Sequence, residues 1–119
     1  MGQPACIDDS ALDRLRRQGG PVLVREIVKI FLEDAPQRLL DGRAGAKARN
    51  LDATRRAAHS LKSTAGALGA VELKAVSEQI EEQAADNQGA AVDALLDRWD
   101  ASFAAAERQL SAVIARDPA

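Results

Sequence analysis

Read as a pattern of apolar and polar positions, the chain falls into helices separated by short punctuation, and no stretch alternates with the period of a strand. Ile7, Leu12 and Leu15 can face inward on a first short helix, with Asp8 to Ser10 offering N-caps. The sequence "QGGP" stops it: Gly19 or Gly20 suits a C-terminal cap, and Pro21 suits the first turn of the next helix. That second helix carries Val24, Ile27, Val28, Phe31, Ala35 and Leu39 at the three-and-four spacing of an apolar stripe. Pro36 removes a backbone hydrogen bond inside it, so a kink near Leu32 to Ala35 is expected. Gly42 and Gly45 weaken the helix, which should fade before Asn50.

Asn50 can cap a third helix, with Asp52 near the positive end of its dipole and Leu51, Thr54, Ala58, Leu61, Ala65 and Leu68 inward. Gly69 ends it. A fourth helix turns Val71 or Leu73, Val76, Ile80 and Ala84 inward and stops around "DNQG". A fifth carries Val92, Leu95, Leu96, Trp99, Phe103, Ala106, Leu110 and Val113. Four substantial amphipathic helices with short connections predict an all-α fold, an antiparallel four-helix bundle with a short additional N-terminal helix across one end. The length suits one domain, residues 1–119.

The histidine count changes the picture. The chain has one histidine, His59, in the third helix. At about 100° per residue it lies about 160° from Leu61, on the side away from the core. Arg55, His59, Lys62, Ser63 and Gly66 are related by steps of three and four, so they form one outward stripe. A lone exposed histidine on a helix is by default a solvated surface residue. Three neighbours argue for more. Gly66 costs roughly 1 kcal/mol relative to Ala inside a helix, which asks for a reason. Ser63 is also small, so another molecule could approach the stripe closely. Lys62 places a cation beside a ring nitrogen that modification could make negative.

Composition and charge then remove alternatives. With a net charge of −2, two Phe, one Trp and no Tyr, the chain has neither a basic field nor a base-stacking surface for nucleic acid. No apolar run approaches the about eighteen residues that span a bilayer. The N-terminus "MGQPACIDDS" is not a secretory signal, and Cys at its sixth position leaves the myristoylation pattern incomplete. Cys6 is alone, so no internal disulfide forms, and a cytoplasmic location is the simplest expectation. One histidine and one distant cysteine do not make a zinc site, and Arg56 stands where a di-iron Glu-x-x-His motif needs a carboxylate. No phosphate-binding loop points to ATP, and no strand–turn–helix elbow presents Ser60 or Ser63 as a nucleophile.

The stretch "AHSLKSTAGALGA" resembles the histidine-containing phosphotransfer (HPt) domains of bacterial phosphorelays. Their pattern of a histidine, an apolar residue two on, a lysine next, small residues and a closing glycine is met by His59, Leu61, Lys62, Ser63 and Gly69, with Ala58 in front. "IFLEDAPQRL" and "LKAVSEQIEEQA" look like the family's flanking helices. Two positions depart from the family pattern: Ser63 stands where many members have Gly, and Glu81 where some have a Gln that hydrogen-bonds the imidazole.

The resemblance implies a phosphorelay intermediate. His59 would take a phosphoryl group from a receiver-domain aspartate or a histidine kinase and pass it to another receiver. Lys62 would supply positive charge. Arg55, Arg56, Ser63 and Gly66, with apolar residues of the second helix, would meet the partner. Glu81 would orient the imidazole, at the cost of repelling an incoming phosphoryl group. No cofactor or metal is expected on this chain, Mg²⁺ coming from the partner receiver, and no ATP-dependent kinase activity of its own. The expected state is a monomer that engages neither nucleic acid nor membrane. Complete helical patterns at both ends favour a free-standing protein over a piece of a hybrid kinase. The alternative is a helical scaffold or adaptor that binds a signalling partner and never carries phosphate, against which the intact His59–Lys62 pair argues. A His-dependent hydrolase is a third reading, weakened by the lack of a pocket-forming motif.

Overall fold

The computed structural model of the chain describes residues 7–116, so Cys6 and Pro118 lie outside the described residues. Four helices run through them: α1 (Asp9–Lys47), α2 (Leu51–Leu68), α3 (Val71–Ala85) and α4 (Gly89–Arg116). They form the expected bundle, with α2 packed between α1 and α3, and α4 closing the layer against α1 and α3.

The short first helix and the long second one are the two arms of α1. They meet at Gly20, whose φ of 72° and ψ of −172° break the helix, and Pro21 restarts it. Ser10 donates its backbone N–H to Asp8 Oδ1 at 3.0 Å, the cap read from "DDS". Ala11 and Leu12 of the short arm are buried. Gly20 is the one interior residue of α1 with non-helical dihedrals, so Pro36 is carried without the departure expected at Leu32 to Ala35. Pro36 is exposed. The Leu32 carbonyl loses that N–H partner, while Phe31, Ala35 and Leu39 stay buried.

Gly42 and Gly45 weaken α1 on paper, but the packing uses them. A Cβ on Gly42 would meet the Trp99 ring at 2.5 Å, and one on Gly45 would meet Thr54 Oγ1 at 2.8 Å. Their absence lets α1 approach both α4 and α2. The buried Thr54 hydroxyl then donates to the Gly42 carbonyl at 2.8 Å. Trp99 is fully buried and donates its indole N–H to Ser77 Oγ at 2.9 Å, which ties α4 to α3 without an unpaired polar atom. At the far end of α1, Arg49 grips Asp93 of α4 with two hydrogen bonds of 3.1 and 2.7 Å.

The turn after α2 fixes the end of the histidine-bearing helix. Gly69 is left-handed (φ 72°, ψ 19°) and caps α2 through its N–H. The Asp8 N–H donates to the Gly69 carbonyl at 2.6 Å, and Ile7 forms an isolated antiparallel bridge with Ala70. A Cβ on Gly69 would strike the Asp8 carbonyl and Ala11. The N-terminal segment thus lies directly on the α2–α3 turn.

Candidate functional site

Helix α2 buries Leu51, Thr54, Ala57, Ala58, Leu61, Ala65 and Leu68. That stripe fixes the rotation of the helix, and the rotation places His59 in solvent with 59 % of its side chain exposed. Its Nδ1 lies 2.7 Å from Glu81 Oε2, across the α2–α3 contact. An ionised carboxylate only accepts, so Nδ1 carries the proton and donates. Nε2 is left with a free lone pair on a mostly exposed side chain.

The second oxygen of the same carboxylate is also occupied. Lys62 Nζ lies 2.6 Å from Glu81 Oε1. Glu81 is only 17 % exposed, against 28 % for Lys62, so the pair sits in the seam between α2 and α3. The Lys62 ammonium, and after it the His59 hydrogen bond, hold the Glu81 carboxyl below the usual carboxylate range against the opposing effect of burial. The same hydrogen bond to Glu81 holds the Lys62 ammonium above its ordinary value.

The structure therefore brings three of the sequence-selected residues, His59, Lys62 and Glu81, into one hydrogen-bonded cluster. Arg55 and Arg56 stay apart from it. Both bond Asp52 on their own helix, Arg55 Nη2 at 2.8 Å and Arg56 Nε at 3.2 Å. Ser63 is exposed one turn beyond the imidazole. Gly66 is half-buried, and a Cβ there would touch only the Lys74 stem, at 3.6 to 3.7 Å. Among the described residues, no group of three His, Cys, Asp or Glu side chains comes together as a metal site.

One feature of the surface was named in the sequence only as apolar residues of the helix before α2. An apolar groove of about 180 Å³ runs between α1 and α2, lined by Ile27, Ile30, Phe31, Thr64, Ala67 and Leu68 among others. Ile30 is 61 % exposed at its rim. The available signal was an isoleucine off the buried stripe of α1, three residues from Ile27.

The family model described as Hpt domain matches residues 26–109, and the chain belongs to this family of histidine phosphotransfer domains. Its role is accordingly that of a histidine phosphotransfer protein in two-component phosphorelay signalling, with receiver domains and kinases as its kind of partner. In fold, the chain is similar to the crystal structure of histidine-containing phosphotransfer protein B (HptB) from Pseudomonas aeruginosa PAO1, with a TM-score of 0.89 and 24 % identity over 96 % of this chain and 98 % of that one. No curated protein sequence matches the chain. Among the described residues no helix is long and apolar enough to cross a membrane.

Proposed function

We propose that His59 is the phosphoacceptor of a phosphorelay intermediate, taking its phosphoryl group from a receiver-domain aspartyl phosphate or a histidine kinase and passing it to the aspartate of another receiver. One observation carries this reading: an exposed imidazole whose Nδ1 is held by Glu81 at 2.7 Å, so that Nε2 is the free nucleophile.

In the forward step the Nε2 lone pair forms the new N–P bond. The P–O bond to the receiver aspartate breaks, and its electron pair stays on that carboxylate. The Nδ1 proton stays in the hydrogen bond to Glu81, and the ring takes up the positive charge. The reverse step restores the aspartyl phosphate. Negative charge spread over three phosphoryl oxygens calls for positioning and electrostatic help more than covalent help. Glu81 supplies the first, and the Lys62 ammonium bonded to it balances the charge of the site. The Mg²⁺ belongs to the receiver's acidic pocket, and this chain holds no cofactor.

The partner surface combines the stripe of Ser63 and Gly66 with the neighbouring α1–α2 groove. Small residues let the receiver's loops reach the imidazole, and Ile27 and Ile30 offer apolar area in the α1–α2 groove, level with Thr64 to Leu68 further along α2. Arg55 and Arg56 share the single carboxylate of Asp52, which leaves one positive charge in excess to steer toward an acidic pocket. The domain works in this reading as a cytoplasmic monomer engaging one receiver at a time.

The test is transfer itself. Incubation with a phosphorylated receiver domain should yield an acid-labile, base-stable label on the wild-type chain and none on His59→Gln. Partner binding without label would make the domain an adaptor instead.

A further inference from the structure

Glu81 meets two conflicting demands. Its Oε2 orients the imidazole through Nδ1 at 2.7 Å. Its negative charge, however, stands beside a ring that must take on a doubly negative phosphoryl group, and a carboxylate repels that group. The other oxygen addresses the conflict, because Oε1 lies 2.6 Å from Lys62 Nζ. Glu78 and Glu82, one turn back and one residue on along α3, add negative charge near the same ammonium and also favour its charged form. The resting lysine is thus committed to the carboxylates of α3, Glu81 first among them.

We infer that Lys62 serves at this site as the counter-charge of Glu81, masking the carboxylate so that it can orient His59 without repelling the phosphoryl group. Glu81 is then a positioning residue and Lys62 its mask. This rests on His59 being the phosphoacceptor. Its consequence is specific: removing Lys62 exposes a negative charge, and that penalty exists only while Glu81 is present. Two side chains that act as a unit give non-additive changes, whereas independent ones add.

The experiment is a double-mutant cycle read with phosphoramidate, a small phosphodonor that needs no docked protein. Nε2 forms its N–P bond as the donor's own N–P bond breaks and ammonia leaves with the electron pair. Labelling rates of His59 are compared for wild type, Lys62→Ala, Glu81→Gln and the double variant. Lys62→Ala should slow labelling about tenfold alone and less than about twofold in the Glu81→Gln background. Lys62→Arg should retain most of the rate, since it keeps the charge. Circular dichroism melts verify that each variant is folded, and Lys62→Met, which keeps the aliphatic stem, replaces Lys62→Ala if that variant loses helicity. An equal loss from Lys62→Ala in both backgrounds overturns the inference and makes Lys62 a direct partner of the phosphoryl group. So does a Lys62→Arg variant as slow as Lys62→Ala. A wild-type chain that takes no label on His59 removes the phosphoacceptor reading itself, a result distinct from any outcome of the cycle.

Discussion

His59 on α2 and Glu81 on α3 meet through a 2.7 Å hydrogen bond, although the histidine is mostly exposed and the carboxylate mostly covered. That difference defines the division of labour at the site. The covered partner has a fixed position, set by the packing of Ile80 and Ala84 beside it in α3. The exposed partner keeps one nitrogen for chemistry.

His59→Gln should therefore leave the fold intact. The side chain is not part of the core, and a glutamine amide can still donate to Glu81. Stability should fall by no more than about 1 kcal/mol, the worth of one exposed hydrogen bond, while labelling by a phosphorylated receiver disappears. A thermal melt and a transfer assay on the same preparation check both halves.

The Glu81 carboxyl carries a pH signature. Its folded-state value is depressed, chiefly by Lys62 and then by His59. A depressed carboxyl contributes stability above its unfolded value, about 4.3, and loses it as pH falls through the folded value. The gap in melting temperature between wild type and Glu81→Gln should accordingly be open at pH 5 and narrow as the pH falls below about 4.3. Asp8, Asp52 and Asp93 are also depressed, by Ser10, Arg55 and Arg49 respectively. Their contribution is common to both proteins and cancels in the difference. Melts across that range read it directly.

Gly42→Ala should destabilise the bundle even though Ala is the better helix former. The added Cβ would lie 2.5 Å from the Trp99 ring, which is fully buried and tethered to Ser77. Overpacking of this kind costs about 1–3 kcal/mol and outweighs the roughly 1 kcal/mol gain in helix propensity. Urea unfolding of the single variant gives the sign.

Which parts of this were legible in the sequence follows from what periodicity can carry. The stripe Leu61, Ala65, Leu68 fixed the outward direction of His59, and the same stripe is buried in the structure. Helix ends at Asn50 and Gly69 were marked by residues with local preferences. Contacts between helices left fainter traces. Glycines 42 and 45 read as helix weakeners because propensity is a local quantity, while their use depends on Trp99 and Thr54 arriving from other helices. The Lys62–Glu81 bond joins side chains on different helices, so no spacing rule reports it. The pairing of Arg55 and Arg56 with Asp52 follows the i,i+3 and i,i+4 rule on one helix, so it was legible in the spacing.

Gly66 separates stability from transfer at a single position. It lies two turns beyond His59, and only the Lys74 stem approaches the place of a Cβ, at ordinary contact distance. Gly66→Ala should thus stabilise the domain by up to about 1 kcal/mol through helix propensity alone. Gly66→Leu or Gly66→Arg should leave it folded, since the flexible Lys74 side chain can move aside. The bulky side chain would nevertheless stand on the face a receiver must cover to reach Nε2. Transfer from a phosphorylated receiver should slow by raising KM, while phosphoramidate, which needs no docking, should label His59 as it does in the parent protein. Unfolding of the bulky variants would make Gly66 a packing contact between α2 and α3. Unchanged transfer in a folded bulky variant would move the docking surface away from Gly66, toward the α1–α2 groove at Ile27 and Ile30.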